Sequence, residues 1–360
     1  MHVNKSIMAL KPYPVSSHAA WEHKSDANVL KLDWNESTVG PSPNVVSAVQ
    51  DFLQNGNLNW YPDTNNKELH KSIAKYAQLP VENVQYFASS DSIHEYVVRT
   101  FLSPLDKVLV VGPTYDNFRA VAESNGSLVD YYNLNSDFTI LYDDFKSHIE
   151  QFQPKIVYIC NPNNPTGTIH PVEKLIEIIS QFPEVLFLID EAYFEFTNNT
   201  CSQFVKNYNN IIITRTFSKA FGLASFRIGY CLSSIENIGY LTKIRNPKSI
   251  SMISQVAALA ALNDLTYTES YVDEVNTSKK IAAHVLKELG LSIFHQGGNY
   301  IFINLAIDVE KELLEVLLKK NIYIRSYSHV SGAHNSVRMT IGTKEQMAPV
   351  LEVFKDFFKK

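Results

Sequence analysis

The chain has 360 residues, 45% hydrophobic and 19% charged, with a formal net charge of −5. That is globular composition of a length for two or three domains, or for a large domain with a smaller one. The negative balance excludes the basic footprint of a nucleic-acid or anionic-membrane protein.

The opening MHVNKSIMALKPYPVSS lacks the apolar stretch and small-residue cleavage site of a secretory signal, and no apolar run approaches the ~20 residues of a membrane span. KELHKSIAKYAQ (67–78) has a helical period, with Leu69, Ile73 and Tyr76 on one face, and IHEYVVRTFL (93–102) is a second predicted helix. DKVLVVG (106–112), KIVYIC (155–160), EVLFLID (184–190) and NIIITRT (210–216) are short, β-rich and bounded by turn signals. Near-continuous apolar strands suit a parallel sheet covered on both faces, and HPVEKLIEIISQF (170–182) supplies a crossover helix. Two long helices follow, at 248–264 and 270–290. The pattern then changes to NYIFINL (299–305), VEKELLEVLLKKN (309–321), IYIRSY (322–327) and SVRMTIG (336–342), which read as strand, helix, strand, strand. The expectation is an α/β fold: a large domain with a mainly parallel central sheet over 41–250 and a smaller α+β C-terminal domain over 251–360. A hinge is expected near 245–270. Cys160, Cys201 and Cys231 form no CxxC pair and read as reduced core thiols of a cytoplasmic protein, without metal centre or disulfide framework.

In open α/β sheets, ligands sit beyond the carboxyl ends of the strands. NPNNPTG (161–167) follows one predicted strand as a rigid turn presenting Asn164. Asp190 ends the next, with Tyr193 three residues on, and Ser218, Lys219 and Arg227 follow a third. FASSDSIHEY (87–96) places small hydroxyl residues at a helix start, where free N–H groups and the helix dipole favour an anion. Taken singly, each has an ordinary explanation: a surface lysine, a turn, a helix cap. Their shared sheet edge does not. An anion cradle, a carboxylate, an amide, a phenol, a lysine and an arginine together fit pyridoxal phosphate, which needs an amine, an acid at its ring nitrogen, a donor to its 3-hydroxyl and partners for its phosphate. A buried aspartate also needs a cation, and a pyridinium is one.

NPNNPTG, DEAYFEF and TRTFSKAFGLASFRIGY closely resemble fold-type I pyridoxal-phosphate enzymes, specifically class I/II aminotransferases of the histidinol-phosphate aminotransferase group. LDWNESTVGPSP (32–43), YPD (61–63), GPTYDNF (112–118) and SVRMTIG (336–342) extend the resemblance along almost the whole chain. It implies that Lys219 links covalently to the cofactor and then moves the substrate proton. Asp190 would pair with the ring nitrogen, Tyr193 and Asn164 would bond the 3-oxygen, and Tyr115 would stack on the ring. Ser90, Asp91 and Ser92 would hold the phosphate at the helix start, with Thr216, Ser218 and Arg227 completing its shell. Tyr61 would reach the phosphate from a second copy, which makes a homodimer part of the site. Arg338 would clamp the carboxylate of glutamate. Arg325, thirteen residues earlier, and Tyr13 would hold a substrate phosphate, and Asn35 belongs to the same substrate set. Residues 1–40 would form an arm packed on the small domain.

What the resemblance implies is amino transfer between glutamate/2-oxoglutarate and a small anionic substrate, foremost histidinol phosphate/imidazole acetol phosphate. Two alternatives stay open: decarboxylation of an O-phospho amino acid, and transamination of another keto substrate in a surface-polysaccharide pathway. The second is motivated by the departures at Trp34 and Ser37 from the group's pattern. Trp34 stands where alanine or serine is usual, Ser37 replaces a frequent proline, and Ser92 a frequent glutamate. A bulky indole there would reshape the substrate pocket. A regulator carrying such a domain would need a DNA-binding module for which residues 1–34 are too short and insufficiently basic.

Overall fold

The four apolar segments expected as parallel strands lie side by side in a seven-stranded sheet of the protein, described by a computed structural model over residues 2–13, 19–26, 28–305, 309–328, 330 and 332–359. Met1 and residues 14–17 of the opening stretch lie outside the described residues. The strands in chain order are β1 (Leu30–Lys31), β2 (Val84–Phe87), β3 (Lys107–Gly112), β4 (Leu128–Asn133), β5 (Ile156–Cys160), β6 (Leu186–Asp190), β7 (Ile211–Thr216), β8 (Gly229–Ser233), β9 (Ser292–Phe294), β10 (Tyr300–Asn304), β11 (Ile322–Tyr323), β12 (Arg325–Ser326) and β13 (Ser336–Thr340).

The large sheet runs β2-β8-β7-β6-β5-β3-β4. Its pairings are parallel except those of β8, which runs against both β2 and β7. Side-chain alternation along a strand splits the core in two. Leu109, Val157, Phe187 and Ile213 join one cluster, while Val108, Ile156, Leu188 and Ile212 join the other on the opposite face. Three strands carry a weaker sequence signal than these. VQYF of β2 is four residues long, β8 includes Gly229 and Ser233, and β4 is a half-exposed edge strand without an apolar run.

The smaller sheet, β12-β13-β10-β9, is antiparallel throughout. Ile301, Ile303, Val337 and Met339 pack there with Val275, Leu313 and Val350 from the helices Leu265–Glu288, Glu310–Leu318 and Lys344–Phe358. IYIRSY, expected as one strand, divides at Ile324: β11 pairs with β1, while β12 pairs with β13.

Two boundaries differ from the sequence expectation. The helix Met252–Leu262, expected at the start of the small domain, buries Ala257, Ala258 and Ala261 in one cluster with Val45 and Leu69 of the large one, because its apolar side faces those helices. The arm is shared between the two units. Ser6 Oγ donates to the Ser124 carbonyl and Arg119 Nη1 to the Lys11 carbonyl, each at 2.9 Å, which seats residues 5–11 on the large unit. Farther along, the Leu32 N–H donates to the Tyr323 carbonyl at 2.8 Å and its carbonyl accepts from Thr340, which seats the second half of the arm on the small one.

Candidate active site

The carboxyl ends of β2, β3, β5, β6 and β7 open onto a cavity of about 440 Å³ that the small sheet closes from the other side. Tyr13, Ser90, Asp91, Tyr115, Asn164, Asp190 and Tyr193 line it, as do Thr216, Ser218, Lys219, Arg227, Arg325 and Arg338. Thirteen of the sixteen residues expected from the sequence therefore meet in one place. Asn35 sits directly behind the wall and donates from Nδ2 to the Tyr193 hydroxyl at 3.0 Å. Ser92 and Tyr61 stand elsewhere, for the reasons below.

Lys219 follows β7 and turns its ammonium to the Trp34 carbonyl at 2.9 Å. Burial, and then the nearby Arg338 cation, bring its pKa down to about 8. Neutral amine is thus accessible close to physiological pH, as a nucleophile and a proton acceptor require. Asp190, 3% exposed at the end of β6, accepts from the Tyr158 hydroxyl at 3.0 Å and from the Ala192 N–H at 3.1 Å. Burial pushes its carboxyl pKa up. Tyr193 is buried beside Tyr300, ring centroids 5.0 Å apart, and burial likewise holds its proton on.

The helix Ser90–Phe101 points its N-terminus into the cavity. Its N-cap, Ser89, has φ +99, a conformation that L residues rarely adopt. Ser89 Oγ accepts from the Ser92 N–H and the Ser92 hydroxyl donates back to the Ser89 carbonyl at 2.9 Å. Ser92 is therefore spent on the cap, and of the three residues expected at this helix start Ser90 and Asp91 line the cavity. The Asp91 carboxylate accepts from the Tyr115 hydroxyl at 3.0 Å and from Arg227 Nη2 at 3.3 Å, so it orients that phenol and that guanidinium.

These residues fit pyridoxal phosphate on two structural grounds. A Cβ on Gly229 would come within 2.8 Å of the Ser90 nitrogen and 2.7 Å of the Arg215 carbonyl, so glycine is what lets β8 and the helix start at Ser90 approach so closely, as a backbone cradle for a phosphate requires. In addition, the buried Asp190 has His94 behind it at 3.7 Å but no lysine or arginine in ion-pair range among the described residues, so its cavity side is open to a cationic ring nitrogen.

Arg325 and Arg338 are register partners across β12 and β13. Arg338, 2% exposed, donates to the Asn164 side-chain oxygen, the Tyr327 hydroxyl and the Asp33 carbonyl, all uncharged, and its Nε has no partner among the described residues. Tyr13 sits against Arg325 and edge-on to Tyr115, centroids 5.6 Å apart. Among the described residues neither arginine has an acidic partner, in contrast to Arg215 with Glu191 and Arg227 with Asp91.

Sequence reasoning missed Trp21 and Glu36 on the wall and His94 and Tyr158 behind Asp190. Trp21 and Glu36 carry no spacing signal, whereas His94 lies in a segment read for its helix start and Tyr158 in one read for its apolar pattern. Tyr61 is 78% exposed and lies outside the cavity, with the Lys248 ammonium 4.4 Å from its ring centroid.

A family model described as aminotransferase class I and II matches residues 27–354. A dihydroxyacetone phosphate transaminase of Campylobacter jejuni is 45% identical, with 100% of this chain and 98% of that protein aligned. A histidinol-phosphate aminotransferase of Ruminiclostridium cellulolyticum is 32% identical over 90% of this chain and 91% of its own. In fold, the chain is similar to the histidinol-phosphate aminotransferase from Sinorhizobium meliloti in complex with pyridoxal-5'-phosphate. Their TM-score is 0.89, covering 99% of this chain and 97% of that one, at 23% identity.

Proposed function

The chain belongs to the class I and II aminotransferase family, with pyridoxal phosphate as its cofactor, and we propose that it moves an amino group between glutamate and a small phosphorylated ketone of the dihydroxyacetone phosphate class. The observation that carries this reading is the cross-strand pair Arg325 and Arg338 on the cavity wall, without an acidic partner among the described residues. Like charges placed opposite each other destabilise a strand pair unless an anion comes between them. Glutamate brings two carboxylates and a phosphorylated ketone brings a dianion, so each substrate in turn neutralises the same two cations.

Bound in the cavity, pyridoxal phosphate supplies the carbonyl carbon that carries the amino group and a ring that takes up an electron pair. Lys219 is placed to take the α-proton of the substrate and return it. Asp190, Asn164 and Tyr193 would hold the ring edges. Asn164 also touches Arg338, which ties cofactor position to the substrate carboxylate. Arg338 and Arg325, with Tyr13, orient the substrate.

Trp34 supports a short acceptor. Its indole lines the cavity with the Lys31 ammonium 4.3 Å from the ring centroid, and Lys31 is itself held by Asp33 at 2.8 Å and Glu36 at 2.5 Å. A rigid indole on the wall bears on the size of the acceptor, and a hydroxymethyl group is smaller than an imidazole. The Campylobacter jejuni relative supports the same choice. Histidinol phosphate is the second reading, because it presents the same phosphate to the same arginines and the Ruminiclostridium cellulolyticum relative carries that name.

Half-reactions separate the two. Glutamate should convert the bound cofactor to its amino form, followed by absorbance. Dihydroxyacetone phosphate should then restore it at least about tenfold faster than imidazole acetol phosphate, a discrimination of the size one pocket wall supplies. The reverse order would select the second reading. A second copy of this chain would complete the site by bringing in its own Tyr61, and the buried free cysteines fit a cytoplasmic setting.

A further inference from the structure

Asp190 has a neighbour on its far side that the reaction as described does not use. His94, in the helix Ser90–Phe101, is 0% exposed, and its Nε2 lies 3.7 Å from Asp190 Oδ2. That distance is beyond a hydrogen bond and within ion-pair range. The same oxygen accepts from Tyr158, and Thr214 Oγ1 is 3.4 Å from His94 Nε2. Phe118 and Tyr158 wall the imidazole edge-on, at centroid distances of 5.7 and 5.6 Å. Nδ1 has no partner among the described residues. The imidazole is thus sealed from solvent, with Nε2 between Thr214 Oγ1 and the back of a carboxylate whose other side lines the cavity.

We propose that His94 is a positioning residue: standing behind Asp190, it keeps that carboxylate aimed at the cofactor ring nitrogen. A buried carboxylate without a cation protonates. A protonated Asp190 would meet only an uncharged ring nitrogen, whereas an ionised one attracts a pyridinium. Burial acts on Asp190 toward protonation, and His94 is the strongest opposing influence, ahead of the Tyr158 hydroxyl. Asp91, on the same helix as His94, acts with burial. Tyr115 and Cys160 also feel the Asp190 charge, and both keep their protons. His94 therefore sets which form of the ring the site prefers, independently of which ketone is the substrate.

The test uses the full chain freed of cofactor, as wild type, His94→Leu and His94→Gln. Dissociation constants are measured for pyridoxal phosphate and for its analogue with carbon in place of the ring nitrogen. Both ligands share the phosphate, hydroxyl and aldehyde contacts, so their ratio cancels any general loosening of the fold. Wild type should prefer pyridoxal phosphate, and His94→Leu should narrow that preference about tenfold, the equivalent of one pKa unit. His94→Gln keeps a hydrogen-bond donor at this position and should retain most of the preference. An unchanged ratio in His94→Leu would overturn the proposal, and a His94→Gln ratio as narrow as that of His94→Leu would overturn the role of the imidazole N–H.

Discussion

Two faces of one sheet edge treat their charges in opposite ways. Glu191 and Arg215, each 1% exposed, are closed on each other at 2.8 Å, with Thr200 bonded to both and Phe194 under the guanidinium. One residue away on each strand the alternation turns Asp190 and Thr216 into the cavity, where Arg338 is met by neutral acceptors. Desolvation of a charge is expensive on both faces. Behind the sheet the chain offsets it internally, whereas in front the partner has to arrive as ligand. Lys279 shows that a missing acid is not sufficient: it is 5% exposed with its ammonium on the Gly298 carbonyl at 2.7 Å, yet it lies away from the cavity.

The sharpest break in that comparison is Lys219→Ala. It should abolish the visible band of the bound cofactor and lower turnover by roughly a thousandfold or more, as loss of a nucleophile and general base implies. Wild-type turnover in this variant would remove Lys219 from the mechanism. Next come the two arginines. Arg215→Met leaves Glu191 buried and alone, and urea unfolding should register a loss of about 3–5 kcal/mol. Arg338→Gln should leave unfolding nearly unchanged while weakening substrate binding by roughly 2–5 kcal/mol. Equal behaviour of the two variants would mean that the faces do not differ.

Glu195, behind the sheet, sharpens the same contrast through pH. Burial first, opposed by Arg215 and reinforced by Glu191, raises its carboxyl pKa from 4.5 to about 7, and Tyr76 and Tyr230 also face this cluster. The folded protein holds a proton that the unfolded chain releases near pH 4.5. Stability from this group therefore falls as pH climbs from about 4.5 to about 7 and is level above. Glu195→Gln should remove that slope, leaving the variant up to about 3 kcal/mol better than wild type at pH 8 relative to pH 4. Parallel melting-temperature curves for the two proteins would contradict the assignment. The smallest effect is at Ser89, whose φ of +99 is strained for serine. Ser89→Gly relieves the strain at the loss of a side-chain cap, for a net gain of about 1 kcal/mol in thermal unfolding.

Much of this site was legible because its residues follow strands with strong apolar signals. Asn164, Asp190 and Lys219 each come within a few residues of an apolar run, and in a parallel sheet such positions converge on one edge. Arg325 and Arg338 were legible only through the family resemblance, since isolated arginines in a small α+β region carry no spacing signal. Their facing register came from the hydrogen-bonding of β12 with β13. His94 was illegible for a different reason: at a buried helix position, an imidazole reads like any other core residue until the strand it packs against is known.

The sequence by itself determined the alternation of helices and strands, the order of the cofactor motifs and the sheet edge on which they gather. These follow from local periodicity and from the direction of parallel strands. The tertiary structure decided which charges are answered within the chain and which are left for a ligand. It also decided that Ser92 serves a cap, that the arm divides between two units and that His94 stands behind Asp190. Those outcomes depend on distances between residues far apart in the chain, where Coulomb and hydrogen-bond energies change over a few tenths of an ångström to a few ångströms.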